Sequence, residues 1–258
     1  MKRFRLQRST NQSGNSLPGC IIVVLIMLVL GGIAVILTLT SFGQNGSDEI
    51  QIAKVGKWED NGITLNPYQS WYGLFQNPEG AFSVKATQIK IKEIYDYSDD
   101  GPRERALIQI TIDSKKDPIL LVGGLGGLEE GDVDGIGHNN TLLTPDRSYE
   151  INHPWGRYEL RPFGAQDYLV EEDTEQQYSG YGIVLTHDGR EQTILEDHYF
   201  FGNGPGLIWS GDLDGDRKLD LIIDCICEDT STNMALFLSS RADGSEMVKL
   251  VAVWQSEE

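Results

Sequence analysis

Apolar residues fall along this chain in two patterns. The first is an unbroken run, CIIVVLIMLVLGGIAVILTLTSF, from Cys20 to Phe42. About 20 such residues, at about 1.5 Å each, cross the roughly 30 Å hydrocarbon core of a bilayer. Gly31 and Gly32 do not interrupt it, because glycine is tolerated in membrane helices. The second pattern is alternation. Phe82, Val84 and Ala86 alternate with polar residues, and Ile89 and Ile91 continue one step out of phase. The slip near Thr87 and Gln88 predicts a β-bulge. After the turn SDDGPRER, Ile108, Ile110 and Ile112 alternate again, so Ala81 to Asp113 reads as one long hairpin.

The same alternation recurs further on. DPILLVGG is a short apolar strand entering a glycine-rich loop. Tyr181, Ile183 and Leu185 form a strand that the HDGR turn, His187 to Arg190, joins to EQTIL. LDLIID places Leu219, Leu221 and Ile223 on one face and Ile222 on the other. Met234 to Ser239 and Met247 to Trp254 read as a closing hairpin. Beyond the apolar run, no window of about 12 residues has a 3.6-residue period. The expected fold is therefore mostly β: an N-terminal transmembrane helix, then a β-rich ectodomain, sandwich-like or partial-propeller, with one calcium-loop hairpin.

Charge orients this arrangement. Residues 1–19 carry Lys2, Arg3, Arg5 and Arg8 and no acid, whereas Asp48 and Glu49 come after the apolar run. The positive-inside rule makes residues 1–19 a basic cytoplasmic tail, 20–42 a single-pass signal anchor, and the remainder periplasmic or cell-surface. A cleaved signal peptide is the alternative, with a small-x-small site at Ser41-Phe42-Gly43. The apolar core is longer than the usual 7–15 or so residues, which favours an uncleaved anchor. LPGC, at Leu17 to Cys20, precedes the run, whereas a lipidation box comes after one. Residues 43–80 are expected as a stalk and entry segment. In it Trp71, Tyr72 and Phe75 cluster between two Asn-Pro pairs, as a loop packing aromatics into the core or as an interaction patch. Residues 81–258 are the expected β-rich extracytoplasmic domain.

The net charge is −18, and all 39 acidic residues lie beyond the apolar run. A body this acidic repels phosphate backbones, which excludes nucleic acid as a partner and favours cations or basic surfaces. The acids are densest in WSGDLDGDRKLDLIID, where Asp212, Asp214, Asp216 and Asp220 crowd into one turn before a strand. Like charges so close cost free energy unless a cation cancels them. Calcium, which takes 6–8 oxygen ligands at about 2.3–2.6 Å, suits alternating carboxylates. With Asp212 as the first ligand position, Lys218 falls where a backbone carbonyl ligates, and Gly215 gives the turn its freedom. An EF-hand is excluded, because Ile223 stands where that loop needs its bidentate glutamate.

This stretch resembles the calcium-binding repeat called FG-GAP, or VCBS in bacterial surface proteins. Phe201-Gly202 precedes the loop, GDLDGD spans Gly211 to Asp216, and LDLIID completes the unit. The resemblance covers residues 201–224. It implies calcium held by Asp212, Asp214, Asp216 and Asp220 in a strand–loop–strand unit. Two departures stand out. Arg217 replaces the glycine usual after the third aspartate, which costs about 1 kcal/mol if φ there is positive and lowers the expected affinity. The family repeats its unit to build propeller blades, and this chain has one good copy. GDVDGIGHNN, Gly131 to Asn140, is the other candidate. It offers Asp132, Asp134 and Asn140, but Ile136 replaces the central ligand; its alternative is a glycine-rich turn.

Other chemistry is sparse. DPILLVGGLGG lacks the third glycine of a dinucleotide fingerprint. Cys225 and Cys227 share one face of a strand and are expected as buried thiols. The histidines, His138, His153, His187 and His198, fall in no H-E-x-x-H, and no serine falls in G-x-S-x-G. His198 with Glu196 and Asp197 could form a catalytic or metal cluster; a polar strand end is the simpler reading. The expected function is a membrane-anchored extracytoplasmic binding or interaction protein, not an enzyme, with a structural calcium site and a protein or glycan ligand. The alternatives are an envelope hydrolase acting on polysaccharide or peptide, and a structural envelope component.

Overall fold

A computed structural model describes residues 49–59, 62, 64–97, 104–168, 176–201, 204–224 and 231–257. The membrane run, Gly202 and Cys225 with Cys227 lie outside the described residues. Among those residues there is no helix, and none is long and apolar enough to cross a membrane. The body is mostly β.

Its strands form four sheets. The entry sheet orders β1 (Gln51–Ala53), β7 (Leu120–Gly123), β3 (Trp71–Gln76), β4 (Phe82–Thr87) and β8 (Gly131–Val133). A three-stranded sheet orders β2 (Gly56–Glu59), β6 (Glu104–Ile112) and β5 (Ile89–Tyr97). The central sheet orders β17 (Lys249–Glu257), β16 (Ser231–Leu238), β15 (Asp220–Asp224), β14 (Gly206–Gly211) and β9 (Gly135–Leu142). The fourth is an antiparallel meander of β10 (Tyr149–His153), β11 (Gly156–Tyr168), β12 (Gln176–His187) and β13 (Arg190–Phe201).

The central sheet is buried on both faces. Trp209, Ile222 and Leu236 enter a core shared with Trp71, Leu74 and Ile110 of the entry and three-stranded sheets. Leu221, Ile223 and Phe237 enter a second core, with Leu160, Tyr181 and Ile183 of the meander. Successive strand residues point to opposite faces, so LDLIID can be apolar without interruption only where both faces are covered. The split expected for Leu219, Leu221 and Ile223 against Ile222 matches this division.

The hairpin expected over Ala81 to Asp113 is a different structure. β4 pairs with β3 and ends at Thr87, whereas β5 starts at Ile89 and pairs with β6. The phase slip marks a strand leaving one sheet for another, not a bulge within one sheet. The real hairpin is β5–β6. Residues expected as a stalk and entry segment also belong to the folded body. They supply β1, β2 and β3, and β3 is the middle strand of the entry sheet. Trp71 and Phe75 are buried there, as a core-packing segment requires. The HDGR turn forms as expected, with His187 opposite Arg190 and positive φ at Asp188 and Gly189.

Candidate metal centre

The acidic loop hangs between β14 and β15. Gly211 and Asp220 are paired across the ladder, so the strands close the loop's two ends together. Gly211 cannot be larger: a Cβ there would sit 2.3 Å from the Trp209 ring and 2.4 Å from the Asp134 carbonyl oxygen. Leu213 is anchored in one core and Leu219 in the other, which leaves the intervening aspartates to one another. Gly215 and Arg217 take φ of 82° and 60°. The positive φ at Arg217 is the strain anticipated from the missing glycine.

The aspartates fold the loop as well as charge it. Asp212 Oδ1 accepts from the Gly215 N–H at 2.8 Å, and its Oδ2 from the Arg217 N–H at 2.9 Å. Asp216 Oδ1 accepts from the Lys218 N–H at 2.9 Å. Asp220 is fully buried; its Oδ2 accepts from the Leu213 N–H at 2.8 Å and its Oδ1 from the Ser239 N–H at 2.8 Å. Such bonds use one lone pair of an oxygen and leave others for a ligand.

Asp212, Asp214 and Asp216 each bring a carboxylate oxygen within 4.8 Å of the others, making them the one group of three metal-ligating side chains among the described residues. Asp220 stands outside that group, and both its oxygens are held by the protein. Lys218 Nζ lies 3.6 Å from Asp216 and is largely exposed, so it offsets little of this charge. Asp214 Oδ1 is buried without any hydrogen-bond partner. Burial, reinforced by the charges of Asp216 and Asp214, holds the Asp212 carboxyl above its usual range against its two backbone bonds. Burial and then the charge of Asp214 push Asp220 well above that range. The cluster is short of positive charge, and a hard cation would supply it.

Two residues of this centre were not visible in the sequence. Ser239 Oγ lies 3.1 Å from both oxygens of Asp216 and 3.0 Å from Asp220 Oδ1, and Ser240 donates to Asp214. They sit just beyond β16, the strand beside β15. Their role depends on that pairing, which no local pattern reveals.

The second candidate does not assemble. Gly131 to Val133 is β8, where Asp132 pairs with Ser83, and Gly135 to Leu142 is β9. Asp132, Asp134 and Asn140 are exposed. Asn139 and Asn140 adopt φ of 50° and 56°, at the point where the register of β9 with β14 shifts. This segment instead braces the first loop: the Asp134 carbonyl accepts from the Asp212 N–H at 2.9 Å.

Beside that brace, His138 Nε2 and His153 Nε2 lie 2.8 Å and 3.1 Å from Ser210 Oγ. Trp155 stacks on His153 at 4.5 Å. Burial, and then the neighbouring His153, lower His138 to about 4; burial also lowers His153. Ser210 is fully buried, so a substrate cannot reach its hydroxyl in this structure. His187 is held by the Arg157 carbonyl and stacks on Tyr158. The side chains of Asp197 and His198 lie outside the described residues.

Comparison with family models, with curated proteins and with solved structures finds no match to this chain.

Proposed function

We propose that this chain is a membrane-anchored extracytoplasmic binding protein whose body is stabilised by one calcium ion at the β14–β15 loop. The observation that carries the metal is the convergence of Asp212, Asp214 and Asp216, together with the buried, unpartnered Oδ1 of Asp214. Oxygen-only donors of this kind suit calcium rather than a thiophilic or imidazole-seeking metal. In this reading the three carboxylates bind the ion, Lys218 contributes its carbonyl, and Asp220 with Ser239 holds the ligands in place. The residues that fit the FG-GAP pattern, Gly211 to Asp216 and Leu219 to Asp224, support the same assignment. The site is structural: its oxygens already shape the loop, and Leu213 and Leu219 tie that loop to both cores.

The anchor and the outward-facing body rest on the apolar run at 20–42, the basic residues before it and the acidic body after it. Calcium is available outside the cell at concentrations that fill sites of about 10⁻⁴–10⁻³ M affinity.

The test is the melting temperature of the full chain in chelator and across a calcium titration, beside the Asp214→Ala/Asp216→Ala double variant. At 100 times its dissociation constant, calcium adds about 2.7 kcal/mol. A rise confined to the unaltered chain is the expected result. Identical melts with and without saturating calcium would reduce the loop to an acidic turn.

A further inference from the structure

The strand that changes sheets opens a groove. β3 and β4 stay paired as far as Trp71 and Thr87, and then the chain crosses through Gln88 into the three-stranded sheet. The gap between that crossing and the NPYQS turn ahead of β3 is a groove of about 580 Å³. That size falls within the range of small-ligand sites.

Its lining has two unusual properties. First, on a chain of net charge −18, none of the described residues lining it is charged. Of the charges close by in sequence, Lys85 lies over the Phe75 ring and Lys90 pairs with Asp113, while the Glu130 carboxylate accepts from the N–H of the lining residue Ala86 at 2.7 Å. Second, Tyr68 is 96% exposed, far more than any other large hydrophobic side chain among the described residues; the next, Tyr95, is 55% exposed. That exposure is not the looseness of a floppy loop. Pro67 fixes the backbone beside it. The Tyr68 N–H bonds Asn66 Oδ1 at 3.0 Å, the Trp71 indole donates to the Asn66 carbonyl at 2.8 Å, and the Asn66 N–H bonds Gln51 at 2.9 Å. The turn's backbone is fixed, and it carries an aromatic ring out into water, where the ring forgoes the free energy of burial.

The groove is also lined by Tyr72, Ser70, Thr87 and Gln88. They offer hydroxyls and one amide, groups that both donate and accept. The Thr87 hydroxyl gives its proton to the Lys85 carbonyl at 3.1 Å, which leaves its oxygen to accept. An exposed aromatic face on a fixed turn, with neutral donors and acceptors beside it, matches a ligand with apolar C–H faces and many hydroxyls. An anionic ligand would meet a repelling field, and a basic one would find no carboxylate among the described lining residues, that of Glu130 being already bonded to the Ala86 N–H.

We propose that this groove binds an uncharged oligosaccharide, with Tyr68 as the stacking platform and Ser70, Thr87 and Gln88 as hydrogen-bonding partners. The inference rests on the reading of the body as a binding module, and it is independent of the metal loop.

The experiment titrates the full chain, in a detergent without a sugar headgroup, by calorimetry. The probes are neutral oligosaccharides of glucose, galactose, mannose and N-acetylglucosamine, an anionic polygalacturonate, and a proline-rich peptide. The expected result is saturable binding of at least one neutral oligosaccharide with a dissociation constant below roughly 1 mM. Tyr68→Ala weakens it about tenfold or more and leaves the melting temperature unchanged, because the ring packs against little. Gln88→Ala weakens it by less. Binding of only the polygalacturonate or the peptide overturns the oligosaccharide and keeps the binding module. Binding of no probe overturns both. Neutral-sugar affinity untouched by Tyr68→Ala overturns the placement in this groove.

Discussion

Two stretches of this chain spell nearly the same thing. GDLDGD at Gly211 and GDVDGI at Gly131 both set two aspartates either side of an apolar residue and then place a glycine. One becomes a compact loop in which three carboxylates converge; the other is pulled out into β8 and β9. The difference lies in the residue after the glycine. Asp216 continues the polar run, and its carboxylate caps the Lys218 N–H, so the backbone finds partners inside the loop. Ile136 ends the polar run, and Gly135 to Leu142 instead finds its partners in β14. Alternating acids gather into a compact loop only when the loop can satisfy its own backbone. The failed copy is not idle, because its Asp134 carbonyl braces Asp212.

The sharpest way to break this comparison is at the buried end of the first loop. Asp220→Ala leaves the Leu213 and Ser239 N–H groups buried and unpaired, at about 1–3 kcal/mol for each lost partner. A loss of about 3 kcal/mol or more in denaturant unfolding is expected, with or without calcium. Asp132→Ala, on an exposed strand residue, should stay within about 0.5 kcal/mol. Equal effects would mean that the two stretches are equivalent.

Calcium comes next in size. The rise of about 2.7 kcal/mol at 100-fold saturation should vanish in Asp214→Ala/Asp216→Ala and survive in Asp132→Ala/Asp134→Ala. Retaining the backbone carbonyl at residue 134 preserves the brace. Loss of the calcium response in the second variant would move the ion, or part of it, to the other stretch.

How much of this is legible in the sequence depends on range. The loop, its Gly215 turn and the two-faced strand after it are written in adjacent residues. So is the HDGR hairpin. The sheet change at Gln88 left a visible trace, the phase slip, but alternation alone cannot distinguish a bulge from an exit. β11 alternates Arg157, Glu159 and Arg161 with Tyr158, Leu160 and Pro162, and Pro162, which argues against a strand by local pattern, is accommodated because β10 pairs no further than Leu160 and leaves β11 a partner on one side only. Ser239, Ser240 and the convergence of His138 and His153 on Ser210 depend on pairings between distant strands. No window of sequence contains them.

Acid separates the two stretches in another way. His138, in the second stretch, has its pKa lowered to about 4 from 6.5, so between those values the unfolded chain binds more protons than the folded one. Stability therefore falls as pH drops from about 6.5 to 4 and levels off below. The loss is about 1–3 kcal/mol, since the ring is only half-buried. Asp212 and Asp220 act with the opposite sign. Their raised values favour the folded state as pH falls toward 3.8, and calcium should reverse that by favouring their charged forms. Melts across this range with saturating calcium should show the histidine slope, and His138→Asn should make it shallower, leaving the part that the lowered His153 contributes. The same slope in both proteins would assign the acid response elsewhere.

The smallest effect tests why each stretch tolerates left-handed backbone. Arg217 holds φ at 60°, where a Cβ costs about 1 kcal/mol, while Asn139 and Asn140 hold 50° and 56° with a residue type suited to it. Arg217→Gly should relieve that cost, less the extra freedom glycine gains in the unfolded chain, for a net stabilisation of up to about 0.5–1 kcal/mol. It keeps the N–H that Asp212 Oδ2 accepts, so the ligands stay in place and calcium should bind at least as tightly. Asn139→Gly, with little strain to relieve, should change stability by a few tenths of a kcal/mol at most. A destabilised Arg217→Gly would show that the arginine side chain contributes a contact outweighing its backbone strain, and that the loop departs from a glycine-turned metal site at this position for a reason of its own.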